Sequence, residues 1–334
     1  MLTSVVALIT IGTEVLHFAS SKGVGKGKHI VMLAGDEEYR SEEMLPQLAK
    51  ILSKRYGFEC TVVFSQNDRG EIDPENQIHQ PGLEALKKAD VCIMMLRFRH
   101  WDDASMKHFV DFYLAGKPII AIRTSTHAFA YPPSSTSPYR EFSWNSKIWT
   151  GGFGKQVLGE TWVSHWGNHG SQATRGHVVS SHPVLLGVSD LFGTTDVYEA
   201  APPADAEILV RGEVVAGMAP TDEPATGMKR TASGTEQFLN RPMMPIVWTR
   251  EPVNAAGRKN KVLTTTMGAA TDFLNPGYRR LLINSIFWAA DLEVAKANSI
   301  DLVGKYEPSK FGFSGFRKGV KPLDHIELTK SAEK

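Results

Sequence analysis

Four stretches of this chain concentrate residues able to do acid–base, nucleophilic or metal chemistry. The first is Arg123-Thr124-Ser125-Thr126-His127, directly after the apolar run Ile119-Ile120-Ala121-Ile122. The end of such a strand is where many α/β hydrolytic domains hold a nucleophile, on a strained turn framed by small residues. This turn has no cysteine. Arg123 stays protonated, so it cannot be a nucleophile, but it suits a carboxylate or an anion formed during a reaction. Ser125 with His127 is a candidate nucleophile–base pair, only two residues apart. His127 is also a candidate general acid or base on its own, or a ligand-binding residue. Ser125 is equally a candidate substrate contact.

The second stretch is "SHWGNHG". It places His165 and His169 four residues apart, beside Trp162, Trp166 and Asn168. Histidine titrates near neutrality and is the commonest metal ligand. Two histidines at this spacing can share a metal on a helix, but Gly167 and Gly170 point to a loop. A metal would need a third ligand, with Asp102, Asp272 and Glu38 as candidates. A divalent metal is therefore left open, and no other cofactor is expected. Tryptophan beside polar groups suits a sugar, whose C–H faces pack on the indole; it suits a core equally. The third stretch, "RFRHWDD", offers Arg99 and His100 as substrate contacts, with Asp102 or Asp103 as a helix cap. In the fourth, "MGAATDFLNP", Asp272 either orients a histidine or caps the next helix. The acidic loop "GDEEYR" disfavours nucleotide binding, which calls for glycines and positive dipoles.

These residues must be positioned by regular elements. "HIVMLAG", "FECTVVF", "VCIMML" and "PIIAI" read as buried strands. "SEEMLPQLAKILSKRYG" reads as a helix capped by Ser41 and stopped by Gly57. "PGLEALKKAD" and "DDASMKHFVDFYLAGKP" read as two more. This alternation predicts a doubly wound α/β fold with a parallel sheet buried on both faces. Ligands bind such sheets at the carboxyl ends of the strands, so the loops "GDEEYRSEE", "SQNDRGEID", "RFRHWDD" and "RTSTHAF" should converge. Residues 131–175 lack periodicity and read as a long irregular insertion. Strands resume at "HVVSS", "AEILVRGEVV", "MPIVWTR" and "KVLTTTM". A closing helix starts at Pro276, with Asn275 as its cap. From 294 onward, Phe311, Phe313 and Phe316 alternate with small residues, which predicts an extended arm over the domain.

Residues 1–27 form an N-terminal segment and linker. Val5 to Ile11 has signal-peptide length but no basic region before it. An export signal and a short terminal helix are both open, so a cytoplasmic and an exported protein both are. The main domain spans 28–293 and the tail 294–334. At 42% hydrophobic and 22% charged, the 334 residues can bury a large core. A formal net charge of +1 gives no footprint for nucleic acid. No later segment is long and apolar enough to span a membrane. Cys60 and Cys92 are too few for a disulfide framework and read as buried hydrophobes.

Taken in order, "HIVMLAGDEEYRSEE", "ADVCIMMLRFRHWDDASMKHFVDFYLAGKPIIAIRTSTHAF", "VLGETWVSHWGNHG", "SHPVLLGV" and "VLTTTMGAATDFLNPGYRRLLINSIFWAADLE" resemble the ThuA-like family, named for trehalose utilisation. The glycine-rich tail "GFGFSGFRKGVKP" resembles that of long ThuA-like proteins. The resemblance implies a class I glutamine amidotransferase-like, flavodoxin-like fold. It also implies that Arg123 stands where amidotransferases carry the elbow cysteine, so glutamine hydrolysis is not expected. ThuA-like proteins often carry a histidine after the last strand, where this chain has Ala269 or Ala270. The candidates carried over are His127, His165, Asn168, His169 and Asp272. The expected partner is a small-molecule carbohydrate such as an oxidised disaccharide or glycoside, and a homo-oligomer is left open. An enzyme of this kind would be an isomerase, a lyase or a hydrolase, with His127 and His165 or His169 moving protons and Arg123 holding an anionic oxygen. Two alternatives stand beside it: a non-catalytic sugar-binding or assembly module, and a metal-dependent hydrolase.

Overall fold

The computed structural model describes residues 14–295 and 298–326. Its core is a ten-stranded sheet. The strands are β1 (Val15–Phe18), β2 (His29–Gly35), β3 (Glu59–Phe64), β4 (Val91–Leu96), β5 (Ile119–Ile122), β6 (Thr174–Val178), β7 (Phe192–Gly193), β8 (Glu207–Val214), β11 (Met244–Arg250) and β12 (Val262–Thr265). A separate hairpin pairs β9 (Met228–Arg230) with β10 (Glu236–Phe238). The sheet order is β1-β3-β2-β4-β5-β12-β11-β8-β6-β7.

The centre, β3-β2-β4-β5-β12, is parallel throughout. These strands are apolar at nearly every position because both faces are covered. Helices α1 (Ser41–Tyr56) and α3 (Pro276–Ala289) contribute to the core on one face. Helix α2 (Asp103–Leu114) and a 3-10 turn at Leu83–Lys88 contribute to the core on the other. Both flanks are antiparallel: β1 pairs with β3, and the chain between β5 and β12 adds β11, β8, β6 and β7.

Most predicted elements are present, with three differences. Ser41 does not cap α1. The cap position is Arg40 in a left-handed conformation, and the Ser41 hydroxyl instead accepts from Asp36 N at 3.2 Å. "PGLEALKKAD" forms only the 3-10 turn. "VLHF" forms edge strand β1, where a helix or a signal was expected, while Val5 to Ile11 lies outside the described residues. Asn275 does cap α3, accepting from Tyr278 N at 2.8 Å. Cys60 and Cys92 are buried, free thiols, and burial pushes the pKa of both up. No helix among the described residues is long and apolar enough to cross a membrane. The arm returns across the carboxyl end of the sheet: Gly312 N donates to Glu38 O at 2.8 Å, and Arg40 Nη2 donates to Gly312 O at 2.6 Å.

Candidate functional site

The turn after β5 is built from its own hydroxyls. Arg123 has φ 49°, a left-handed conformation that is strained for a side-chain-bearing residue. The Thr124 hydroxyl donates to Asp36 Oδ2, at the end of β2. Ser125 Oγ donates to Met94 O at 2.8 Å and accepts from Leu96 N at 3.2 Å, tying the turn to β4. Thr126 Oγ1 lies 3.1 Å from His127 Nδ1. Gly268, after β12, is what lets the turn sit so close. At its φ of 146° a Cβ would lie 2.4 Å from Ile122 Cγ2 and 2.8 Å from the Tyr278 hydroxyl.

Arg123 differs from expectation in what it binds. It is 0% exposed. Nη1 donates to Asp196 O at 2.6 Å and to Thr266 O at 2.7 Å. Nη2 donates to Asp196 Oδ1 at 2.7 Å and to the Tyr39 hydroxyl at 3.1 Å. The guanidinium lies over the Tyr198 ring, 3.7 Å from its centroid, and 4.7 Å from that of Tyr39. Both of its Nη nitrogens are engaged within the protein, and its Nε is buried without a hydrogen-bond partner among the described residues. Its charge is used to hold Asp196.

Asp196 is the centre of the arrangement. His165 Nδ1 lies 2.9 Å from Oδ2, and His169 Nδ1 lies 3.0 Å from Oδ1. Burial alone would raise the Asp196 pKa, but Arg123 and the two imidazoles outweigh it and hold the carboxyl well below its usual range. His169 Nε2 also lies 3.0 Å from Glu38 Oε1. Its ring therefore has a carboxylate at each nitrogen, and the Asp196 hydrogen bond raises its pKa against a partial desolvation cost. Burial raises the pKa of Glu38, with Asp36 adding to the effect and His169 opposing it.

His127 has the opposite environment. Its ring is buried between Phe98 and Trp162, at centroid distances of 5.1 and 5.8 Å. Burial drives its pKa well below the usual histidine value, and the charges of Arg97 and Arg123 push the same way.

These side chains line one cavity of about 260 Å³, with Glu38, Arg97, Phe98, His127, Trp162, His165, His169, Tyr198 and Phe313 on its walls. Loops after β2, β4 and β5, the insertion and the arm thus meet at the carboxyl end of the sheet. A larger cavity of about 540 Å³ lies by α2, among Tyr113, Phe142, Ile148 and Trp149. It has no histidine and holds none of this chemistry.

The other sequence candidates lie outside this wall. Arg99 is buried, donating to Glu37 Oε1, to Ser65 Oγ at 3.0 Å and to Asn76 O at 2.8 Å; it organises loops beneath the site. His100 faces Tyr131. Ser125 is bound into β4, so it offers no free nucleophile. Trp166 is core, its Nε1 donating to Leu239 O at 2.8 Å, and Trp162 provides the aromatic wall instead. Asn168 is exposed and its backbone N–H donates to Gln172. Asp272 neither touches a histidine nor caps α3. It accepts from Thr194 N at 2.6 Å and from the hydroxyls of Thr194 and Thr195 at 2.9 and 2.6 Å, which fixes the chain just before Asp196. Gly193 permits this, since a Cβ there would lie 2.7 Å from Asp272 Oδ2. Of the three candidate third ligands only Glu38 reaches a histidine, while Asp102 caps α2. Ala269 and Ala270 are fully buried.

No family model matches the chain, and no curated protein matches it. Solved structures do. A ThuA-like protein of Parabacteroides merdae ATCC 43184 superposes with a TM-score of 0.50 at 13% identity, covering 81% of this chain and 92% of its own. The fold is that of a ThuA-like protein. A second ThuA-like structure, from Bacteroides uniformis ATCC 8492, has a TM-score of 0.48 at 16% identity over 81% of this chain and 95% of its own. Within the ThuA-like fold of this chain, His165, His169 and Asp196 offer ligand atoms that lie within 4.8 Å of one another, so the group could hold a cation. Asp196 and Tyr198, in "GTTDVYEA", were not singled out by sequence, and Phe313 was read only as part of the arm. The available signal was an acidic residue after two threonines, with a second acid, Glu199, close behind.

Proposed function

We propose that this ThuA-like protein binds a sugar in the cavity over the sheet and moves protons on it. The observation that carries this reading is that two imidazoles lining one cavity stand in opposite surroundings, one among aromatic rings and one between two carboxylates. His127, buried among aromatic rings, has its pKa driven down and suits accepting a proton. His169, between Asp196 and Glu38, has its pKa raised and suits donating one. Groups whose environments push their pKa values apart are a recurring source of acid–base pairs. Trp162, Phe98 and Phe313 supply faces on which a sugar ring can stack, and Arg97 is the charged donor beside them. The order β3-β2-β4-β5-β12 of the parallel strands supports the flavodoxin-like, amidotransferase-related assignment.

The chemistry best served is proton transfer beside a carbonyl, as in the enolisation of an oxidised glycoside. His127 takes the proton from the carbon next to the carbonyl, and His169 protonates the carbonyl oxygen. Arg123 acts behind the wall by fixing Asp196. A non-catalytic sugar-binding module is the second reading, favoured by the conversion of the elbow residue into a buried structural cation. The metal-hydrolase reading is weaker. The Asp196 carboxylate is already shared among Arg123, His165 and His169, and a guanidinium 2.7 Å away opposes a dication.

The test is solvent deuterium exchange into 3-keto-glycosides, followed by NMR, with binding measured by calorimetry. The proton-transfer reading expects exchange at the carbon beside the carbonyl by the wild type and its loss in His127→Gln. Binding without exchange selects the module reading, and neither binding nor exchange overturns both.

A further inference from the structure

At the opposite end of the sheet, the first residues of β2 and β3 and the edge strand β1 bring together His29, Glu59 and His17. Register puts them on one face. His29 pairs with Glu59 in the parallel ladder, and His17 pairs with Thr61, two residues beyond Glu59. His17 Nε2 and His29 Nε2 each lie 3.9 Å from Glu59 Oε1, and the three donor atoms lie within 4.8 Å of one another.

We propose that His17, His29 and Glu59 form a binding site for a zinc-class divalent cation that clamps the edge strand onto the sheet. Two imidazoles and one carboxylate are a familiar zinc ligand set, with metal–ligand distances of about 2.0–2.2 Å. Donors around a tetrahedral ion then stand roughly 3.3 Å apart, so small side-chain rotations close the present spacing. The hydroxyl of Thr61 lies 3.0 Å from His17 Nδ1. It orients that ring from behind and leaves Nε2 turned to the ion, as an outer-shell partner does. Thr61 Oγ1 also lies 2.9 Å from His29 Nε2, a contact the ion would replace.

Exposure is graded. The side chains of His29, His17 and Glu59 are 10%, 22% and 39% exposed, so the site is anchored at one side and open to water at the other. The charged groups that act most on His29 are Glu59, His17 and Asp90. This separates the group from the Asp196 cluster, which carries a guanidinium against its carboxylate. The consequence is mechanical. β1 has only four residues and forms one edge of the sheet, and an ion shared with β2 and β3 fixes it there.

The experiment is zinc titration of the full chain, purified without a histidine tag, against a chromophoric chelator, with melting followed in parallel. The variants are His17→Asn, Glu59→Gln and the double variant His165→Asn/His169→Asn. The expected result is one zinc per chain, weakened about tenfold or more by His17→Asn and by Glu59→Gln, and retained in the double variant. Zinc should raise the Tm of the wild type and not that of His17→Asn. Glu59→Gln alters an accessible side chain, so it reads the site even if His17→Asn folds poorly. An absence of zinc binding would overturn the proposal. So would binding that survives both single variants, or binding lost only in the double variant.

Discussion

His127 and His169 reach the same cavity from two differently built regions. His127 ends a five-residue turn whose three hydroxyls are fastened to β2, to β4 and to the ring itself. Its imidazole has aromatic neighbours and no carboxylate in contact. His169 sits on a loop beside Gly170, partly exposed, and is held by Asp196 and Glu38. The lesson is that ordinary side chains suffice to push two histidine pKa values in opposite directions. One is set among aromatic rings and the other between two carboxylates.

The comparison can be broken most strongly at Asp196. Asp196→Ala leaves the Arg123 charge buried without its carboxylate and should cost about 3–5 kcal/mol, measured by denaturant unfolding. If the loss is under ~1 kcal/mol, the buried pair does not anchor the second region. Next come the imidazoles themselves. His127→Gln and His169→Gln should each reduce exchange on a bound keto-sugar by about 10²–10⁴-fold. Equal exchange in either variant would remove that residue from the chemistry.

Stability against pH sharpens the contrast, because the two shifts have opposite signs. His169 has a raised pKa. Its contribution is fully present below the unfolded value near 6.5 and is lost as pH rises through the folded value. His127 has a depressed pKa. It costs stability as pH falls below about 6.5 toward its folded value. His127→Gln should therefore flatten the acid side of the profile and His169→Gln the alkaline side, read from urea unfolding across pH 5–9. The smallest effects belong to the supports. Phe313→Ala, at an exposed position on the arm, should weaken ligand binding about tenfold while leaving the unfolding midpoint near wild type. Ser125→Ala removes the hydroxyl's bonds to β4 and should cost about 1 kcal/mol without altering exchange.

The parallel centre was legible because its signals are local. Apolar runs of strand length, Gly57 after α1 and Asn275-Pro276 before α3 each state their own structure. The loops that follow β2, β4 and β5 were placed by topology, and Glu38, Phe98 and His127 do meet. The expectation for Arg123 changed because sequence records its charge and not its neighbours. Asp196 lies 73 residues away along the chain, in a stretch held by Asp272 through the two threonines before it. Trp162 and Trp166 look alike in sequence, yet one lines the cavity and the other is core. In an irregular insertion no period tells which way each side chain faces. β1 was missed for a related reason: four residues are too few to show a period, and only the pairing with β3 makes them a strand.

The most direct measurement is the protonation of the imidazoles by nitrogen-15 NMR, with signals assigned through His127→Gln and His169→Gln. The account predicts that His127 titrates well below the ordinary histidine value near 6.5 and His169 above it. Two imidazoles titrating together near 6.5 would contradict it.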